Sequence, residues 1–178
     1  MTYPFDLAIM TRSIMTVACE CLESTTLGSP KDCYVSHGPP ADLCCDYLAV
    51  WVETIRPSHG FGDAQYQTGG KFVDRCCSLG RVADIAIQWG RPCFPTLVDN
   101  ARNPMPPAAD ISAASEALLE DARLLSCCLQ AAQCEDALLG VESCLEVAWG
   151  DMLPHGPDGG CAGWTYHIAI ELETCGCG

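Results

Sequence analysis

The sequence predicts an α+β domain, an antiparallel-rich mixed sheet packed with two helices in the order α-β-β-α-β-β. Three observations predict it. Apolar residues recur at spacings of three and four near the amino terminus and again after residue 110, as on the buried face of a helix. Stretches before and after the second of these alternate with a period of two, as half-buried strands do. The strands come in clusters interrupted by one helix, which suggests an α+β sandwich.

The first helix spans 6–23, with Leu7, Met10, Ile14, Val17, Ala18 and Cys21 on one stripe and Asp6 as N-cap after Pro4. Residues 24–30 read as its stop. Residues 33–36 are a candidate short strand, left out of the element order, before the turn-forming run His37-Gly38-Pro39-Pro40. The strand 47–55 sets Leu48, Val50 and Val52 against Tyr47, Ala49 and Trp51, so both faces are apolar and the strand is central. Arg56-Pro57 is expected to end it, because proline removes a ladder donor.

Residues 58–71 hold glycines at 60, 62, 69 and 70 and little periodicity, and so read as a long contact loop. The next strand, 81–90, alternates Ala83, Ile85, Ile87 and Trp89 against Val82, Asp84, Ala86 and Gln88. Prolines at 92, 95, 104, 106 and 107 make 91–110 an extended connector across the surface. Asp110 is the expected N-cap of a helix over 111–133, with Ala114, Leu118, Leu125 and Leu129 inward and Glu116, Glu120 and Asp121 polar. A strand over 141–149 follows.

The closing strand is the clearest element. Trp164, Tyr166, Ile168, Ile170 and Leu172 share one face, and Thr165, His167, Ala169 and Glu171 the other. The glycines of 156–163 are expected to shape the connection before it. Residues 173–178 read as a flexible tail, and the whole of 1–178 as a single domain.

Composition narrows the function. A net charge of −14, from nine Lys and Arg against 23 Asp and Glu, disfavours gripping nucleic acid by counterion release. Interrupted by Asp6 and Arg12, the apolar amino terminus reads as a mature cytosolic start and not as a signal peptide, and no apolar run is long enough for a membrane span.

The 15 cysteines raise disulfides, metal and a thiol-rich core as alternatives. Zinc knuckles of the CxxC type are absent from the sequence, which argues against a structural metal site and for buried thiols with some disulfides. Cys44-Cys45 and Cys76-Cys77 each precede a central strand, so one cysteine of each pair is expected to meet across the sheet, with Cys93 and Cys161 as other candidates. The odd total leaves at least one thiol free or paired between chains.

The sequence offers no GxSxG, HExxH, P-loop or GxGxxG motif, and His37, His59 and His155 sit beside glycine, proline or serine as loop histidines do. His167 is expected on a solvated or subunit-facing surface, and the four tryptophans in core packing. The chain is read as non-enzymatic, with no cofactor.

A family resemblance adds to this. It rests on 44–52 with Arg56-Pro57-Ser58, on the segment of Cys93 and Pro95, on the helix from Asp110, and above all on the run from Leu153-Pro154-His155-Gly156 through Gly163-Trp164 into the last strand. In these the chain resembles the small neck and tail proteins of long-tailed actinobacteriophages, the tail terminator or head-to-tail connector family.

The resemblance implies a virion protein, assembled in the host cytoplasm, that forms a homo-oligomeric ring, commonly a hexamer. The ring caps the major tail tube protein, joins it to the head-closure or connector protein, and surrounds DNA without sequence-specific binding. It implies an amino-terminal helix, strands, a helix and closing strands, and no catalytic residues. The long loop and the proline connector are then expected to make subunit or ring contacts through Gly60, Phe61, Tyr66, Lys71, Pro95 and Pro104. Two other readings stand beside it, a head-closure or stopper protein, which tends toward a small β-barrel, and a cysteine-rich zinc-binding interaction module.

Overall fold

A computed structural model of the chain describes residues 6–40, 45–58, 80–92, 108–140, 145–158 and 161–172. The elements run α1 (Leu7–Glu23), β1 (Asp32–Val35), β2 (Tyr47–Ser58), β3 (Gly80–Pro92), α2 (Ala108–Cys134), β4 (Val147–Asp158) and β5 (Cys161–Leu172). The fold is α+β, with a five-stranded sheet ordered β1-β2-β3-β5-β4. Short β1 pairs parallel to β2, and every other pairing is antiparallel. The expected order thus gains one strand, the candidate at 33–36.

Period-two patterning decides the layering. Leu48 and Val50 of β2, Ala83, Ile85, Ile87 and Trp89 of β3, and Tyr166, Ile168 and Ile170 of β5 join one buried cluster with Met10, Ile14, Ala18 and Leu22 of α1 and Ala122, Leu125 and Leu129 of α2. Both helices therefore cover the same face of the sheet. Each fully buried Leu, Ile or Trp in that layer contributes roughly 1.5–3 kcal/mol of transfer free energy. The opposite face holds a second cluster of Tyr47, Ala49, Trp51 and Ala86, the other half of the alternation in β2 and β3.

The helix α1 starts where Asp6 accepts a hydrogen bond from the Ala8 amide at 2.8 Å, the expected N-cap. After it, Gly28 takes a left-handed φ of 73°. The start of α2 differs from expectation. It begins at Ala108, so Asp110 lies in the first turn, where its charge suits the helix dipole without capping.

Strand ends also move. β2 continues through Pro57, which pairs with Arg81; past Val50 its other edge has no described strand to receive an amide. β3 runs on to Pro92, so Arg91 belongs to the sheet and not to the connector. β4 starts at Val147, and of the strand expected over 141–149 the residues 141–144 lie outside the described residues; it continues through Pro154, Gly156 and Pro157, the last two expected in the connection. It is an edge strand, where proline is tolerated, and two register shifts, between Trp149 and Met152 and between His155 and Asp158, absorb the irregular sequence. β5 correspondingly starts at Cys161 and not at Trp164.

Candidate functional site

The polar features of the molecule gather at two places, the end of the sheet where β3 reaches Arg91, and the sheet face away from the helices. At the first, Arg91 is 1% exposed. Its Nε donates to Asp121 Oδ2 at 2.9 Å, its Nη1 to Asp46 Oδ1 at 3.0 Å, and its Nη2 to the Gly28 carbonyl. One side chain therefore ties β3 to α2, to the turn before β2 and to the turn after α1. Asp46 holds this position with a φ of 88°, unusual for a residue other than glycine. Its amide donates to the Gly90 carbonyl at 3.0 Å. Asp121, expected on the polar side of its helix, is instead fully buried, and its Oδ1 has no hydrogen-bond partner among the described residues.

Next to this node a disulfide joins Cys45 to Cys161, with Cα atoms 5.4 Å apart. Of the candidates, Cys45 pairs with Cys161 and not with Cys76 or Cys77, because Cys161, the first residue of β5, is in register with Pro92 at the end of the intervening β3. Cys44, Cys76, Cys77 and Cys93 lie outside the described residues, as do the expected contacts Gly60, Phe61, Tyr66, Lys71, Pro95 and Pro104. Two further disulfides, Cys19–Cys33 and Cys21–Cys128, tie α1 to β1 and to α2. The CxC spacing in α1 turns its cysteines toward different neighbours, which spacing alone does not reveal.

On the helix-free face, Gly90 of β3 and Gly163 of β5 are side by side, with Tyr47 beyond one and His155 beyond the other. The Tyr47 ring roofs Gly90, whose Cβ, if it had one, would sit 2.8 Å from Tyr47 Cε1. A Cβ on Gly163 would overlap the Trp89 carbonyl. Gln88 Nε2 lies 3.0 Å from Tyr47 Oη and 3.5 Å from His155 Nε2, and that ring nitrogen lies 3.1 Å from the Trp89 carbonyl oxygen. The carbonyl can only accept, whereas the Gln88 amide nitrogen can only donate, so the role of Nε2 follows the tautomer of the ring. Burial pushes the His155 pKa down, and carbonyl contacts with Trp89 and Trp164 pull it partly back.

His155 is therefore a half-buried strand residue bound to backbone, and not the loop histidine expected. A bulge in β2 drops Glu53 out of register with β3. Its carboxylate lies 3.1 Å from His167 Nδ1. Arg56 grips Asp84 with two bonds of 2.8 and 3.1 Å. The expected core tryptophans follow suit. Trp89 is buried, Trp149 stacks on Tyr166 at 5.8 Å, and Trp164 donates to the Leu118 carbonyl at 3.1 Å.

Chemically this arrangement positions and packs. His155 Nε2 lies against a backbone carbonyl and an amide and His167 contacts a carboxylate; neither is hydrogen-bonded to a hydroxyl or thiol among the described residues. Among the same residues no group of His, Cys, Asp and Glu could hold a metal ion. No described helix is long and apolar enough to cross a membrane. No protein-family model matches the chain, and no curated protein is similar to it.

Proposed function

We propose that the chain is a structural virion protein, a tail terminator whose copies close into a ring that caps the tail tube and joins it to the head-closure ring around the DNA channel. The observation that carries the reading is the architecture, an amino-terminal helix, strands, a second helix and closing strands, with both helices on one face of the sheet. That is the element order the family resemblance implies. Among the described residues the sheet is open, with β1 and β4 as its edges, which favours a terminator over a barrel-like stopper.

Three further features support it. A charge of −14 suits a ring that lets DNA pass without holding its phosphates. Opposite sides of the sheet carry different exposed apolar side chains, Val35 and Ile55 on one and Leu153 on the other. A head-to-tail ring contact joins two unlike surfaces of the protomer, and these side chains are candidates for it. Disulfides persist on virions and other particles outside the reducing cytosol, and three are formed here. Imaging of the purified protein tests the proposal. Closed rings with a central opening are expected, and a uniformly monomeric protein would overturn it.

A further inference from the structure

The two thiols left free among the described residues, Cys127 and Cys134, are both exposed and both on α2. Seven residues apart on a helix, they point within about 20° of each other and stand about 10.5 Å apart along the axis. They cannot bond to each other, because a disulfide needs Cα atoms within about 7 Å. A single metal ion is equally out of reach, since thiolate ligands sit about 2.3 Å from zinc. Between them on the exposed surface lie only Gln130 and Ala131, with Arg123 one turn before and the acidic Glu135 and Asp136 just past the helix end.

We infer that this stripe pairs with the same stripe of a second copy of the chain, antiparallel, and that two disulfides seal the pair. A two-fold axis between Gln130 and Ala131 brings Cys127 opposite the partner's Cys134 and Cys134 opposite the partner's Cys127. The axis sets each Gln130 against the small Ala131 of the other copy, so the helices can approach to about 9–10 Å between axes, which leaves facing Cα atoms at disulfide separation. Charge selects the direction. Antiparallel packing sets Arg123 near the partner's Glu135 and Asp136, whereas a parallel pair would set Arg123 against its own copy.

Each bond forms by exchange with a small-molecule disulfide such as oxidised glutathione. The Cys127 thiolate attacks it and releases one glutathione thiolate. The thiolate of the partner's Cys134 then attacks the Cys127 sulfur and releases the second. Two cysteine thiols are oxidised and one glutathione disulfide is reduced to two thiols.

The inference does not rest on the ring reading, because a ring of like-oriented protomers uses head-to-tail contacts and a two-fold contact cannot be one of them. If both hold, the pair links two rings face to face. The test is the full chain incubated with oxidised and reduced glutathione and run on non-reducing gels. Wild type should give a dimer that dithiothreitol dissolves, C127S and C134S should each stay monomeric, and an equimolar mixture of the two variants should recover dimer. Peptide mapping of the wild-type dimer, which needs no variant, should find Cys127 joined to Cys134. Dimers from either variant alone, a monomeric mixture, or either cysteine bonded to another cysteine of the chain would overturn the inference.

Discussion

The guanidinium of Arg91 answers two aspartates, and one of them, Asp121, has no exposure and one oxygen without a partner among the described residues. Removing the cation strands a buried charge, a loss of about 3–5 kcal/mol, whereas replacing both ions by apolar groups can be nearly neutral. Arg91→Met should therefore lower unfolding free energy in urea by that amount, and Asp121→Leu in the same chain should restore most of it. A loss near zero for the single variant would contradict the role given to this node. His155 makes a second prediction. Its folded pKa lies below the ordinary histidine value, so the unfolded chain binds the proton first. Stability should thus fall as pH drops from the unfolded histidine value, about 6.5, toward the folded one. His155→Gln should flatten that part of a pH series of melting temperatures. Neither residue was legible in the sequence. Arg91 precedes Pro92 and reads as the start of a connector, and its aspartate partners are 45 and 30 positions away. His155 stands between Pro154 and Gly156, which spell a turn, and only the pairing of β4 as an edge strand places it beside Gly163.

The elements themselves were mostly readable, for a physical reason that also marks where reading fails. Alternation in 47–52, 82–89 and 164–172 reports which face meets the helices, because a strand that is buried on one side must repeat every second residue. Ends carry no such period. Pro57 and the irregular run from Gly150 to Pro157 look like breaks, yet both are accommodated where a strand has an open edge or a bulge. Gly163 illustrates the difference between a glycine for a turn and a glycine for close approach. Its side-chain space is taken by the backbone of β3, so Gly163→Ala should cost about 3 kcal/mol or more in unfolding free energy. Gly38→Ala, with nothing within 4 Å of the added carbon, should stay within about 0.5 kcal/mol of wild type. Equal effects at the two positions would mean that β5 does not approach β3 as closely as described.

For the whole molecule, the helices form one layer, the sheet a second, and covalent links tie them together across long sequence separations. Cys21–Cys128 spans 107 residues and Cys45–Cys161 spans 116. Loops of that length restrict the unfolded chain by about 4–5 kcal/mol for a single link in the chain-entropy model. Such connectivity was beyond the sequence, since adjacent cysteines do not announce their partners. The proposed ring belongs to this scale too, because it rests on the order of the elements and on the open edges of the described sheet. The most direct measurement is electron microscopy with native mass determination on the chain carrying both C127S and C134S, so that the two-fold pair cannot form. The account predicts closed rings with a central opening, a hexamer whose mass is a whole multiple of the 19.0 kDa protomer. A folded protein that remains a 19.0 kDa monomer at every concentration tested would contradict it.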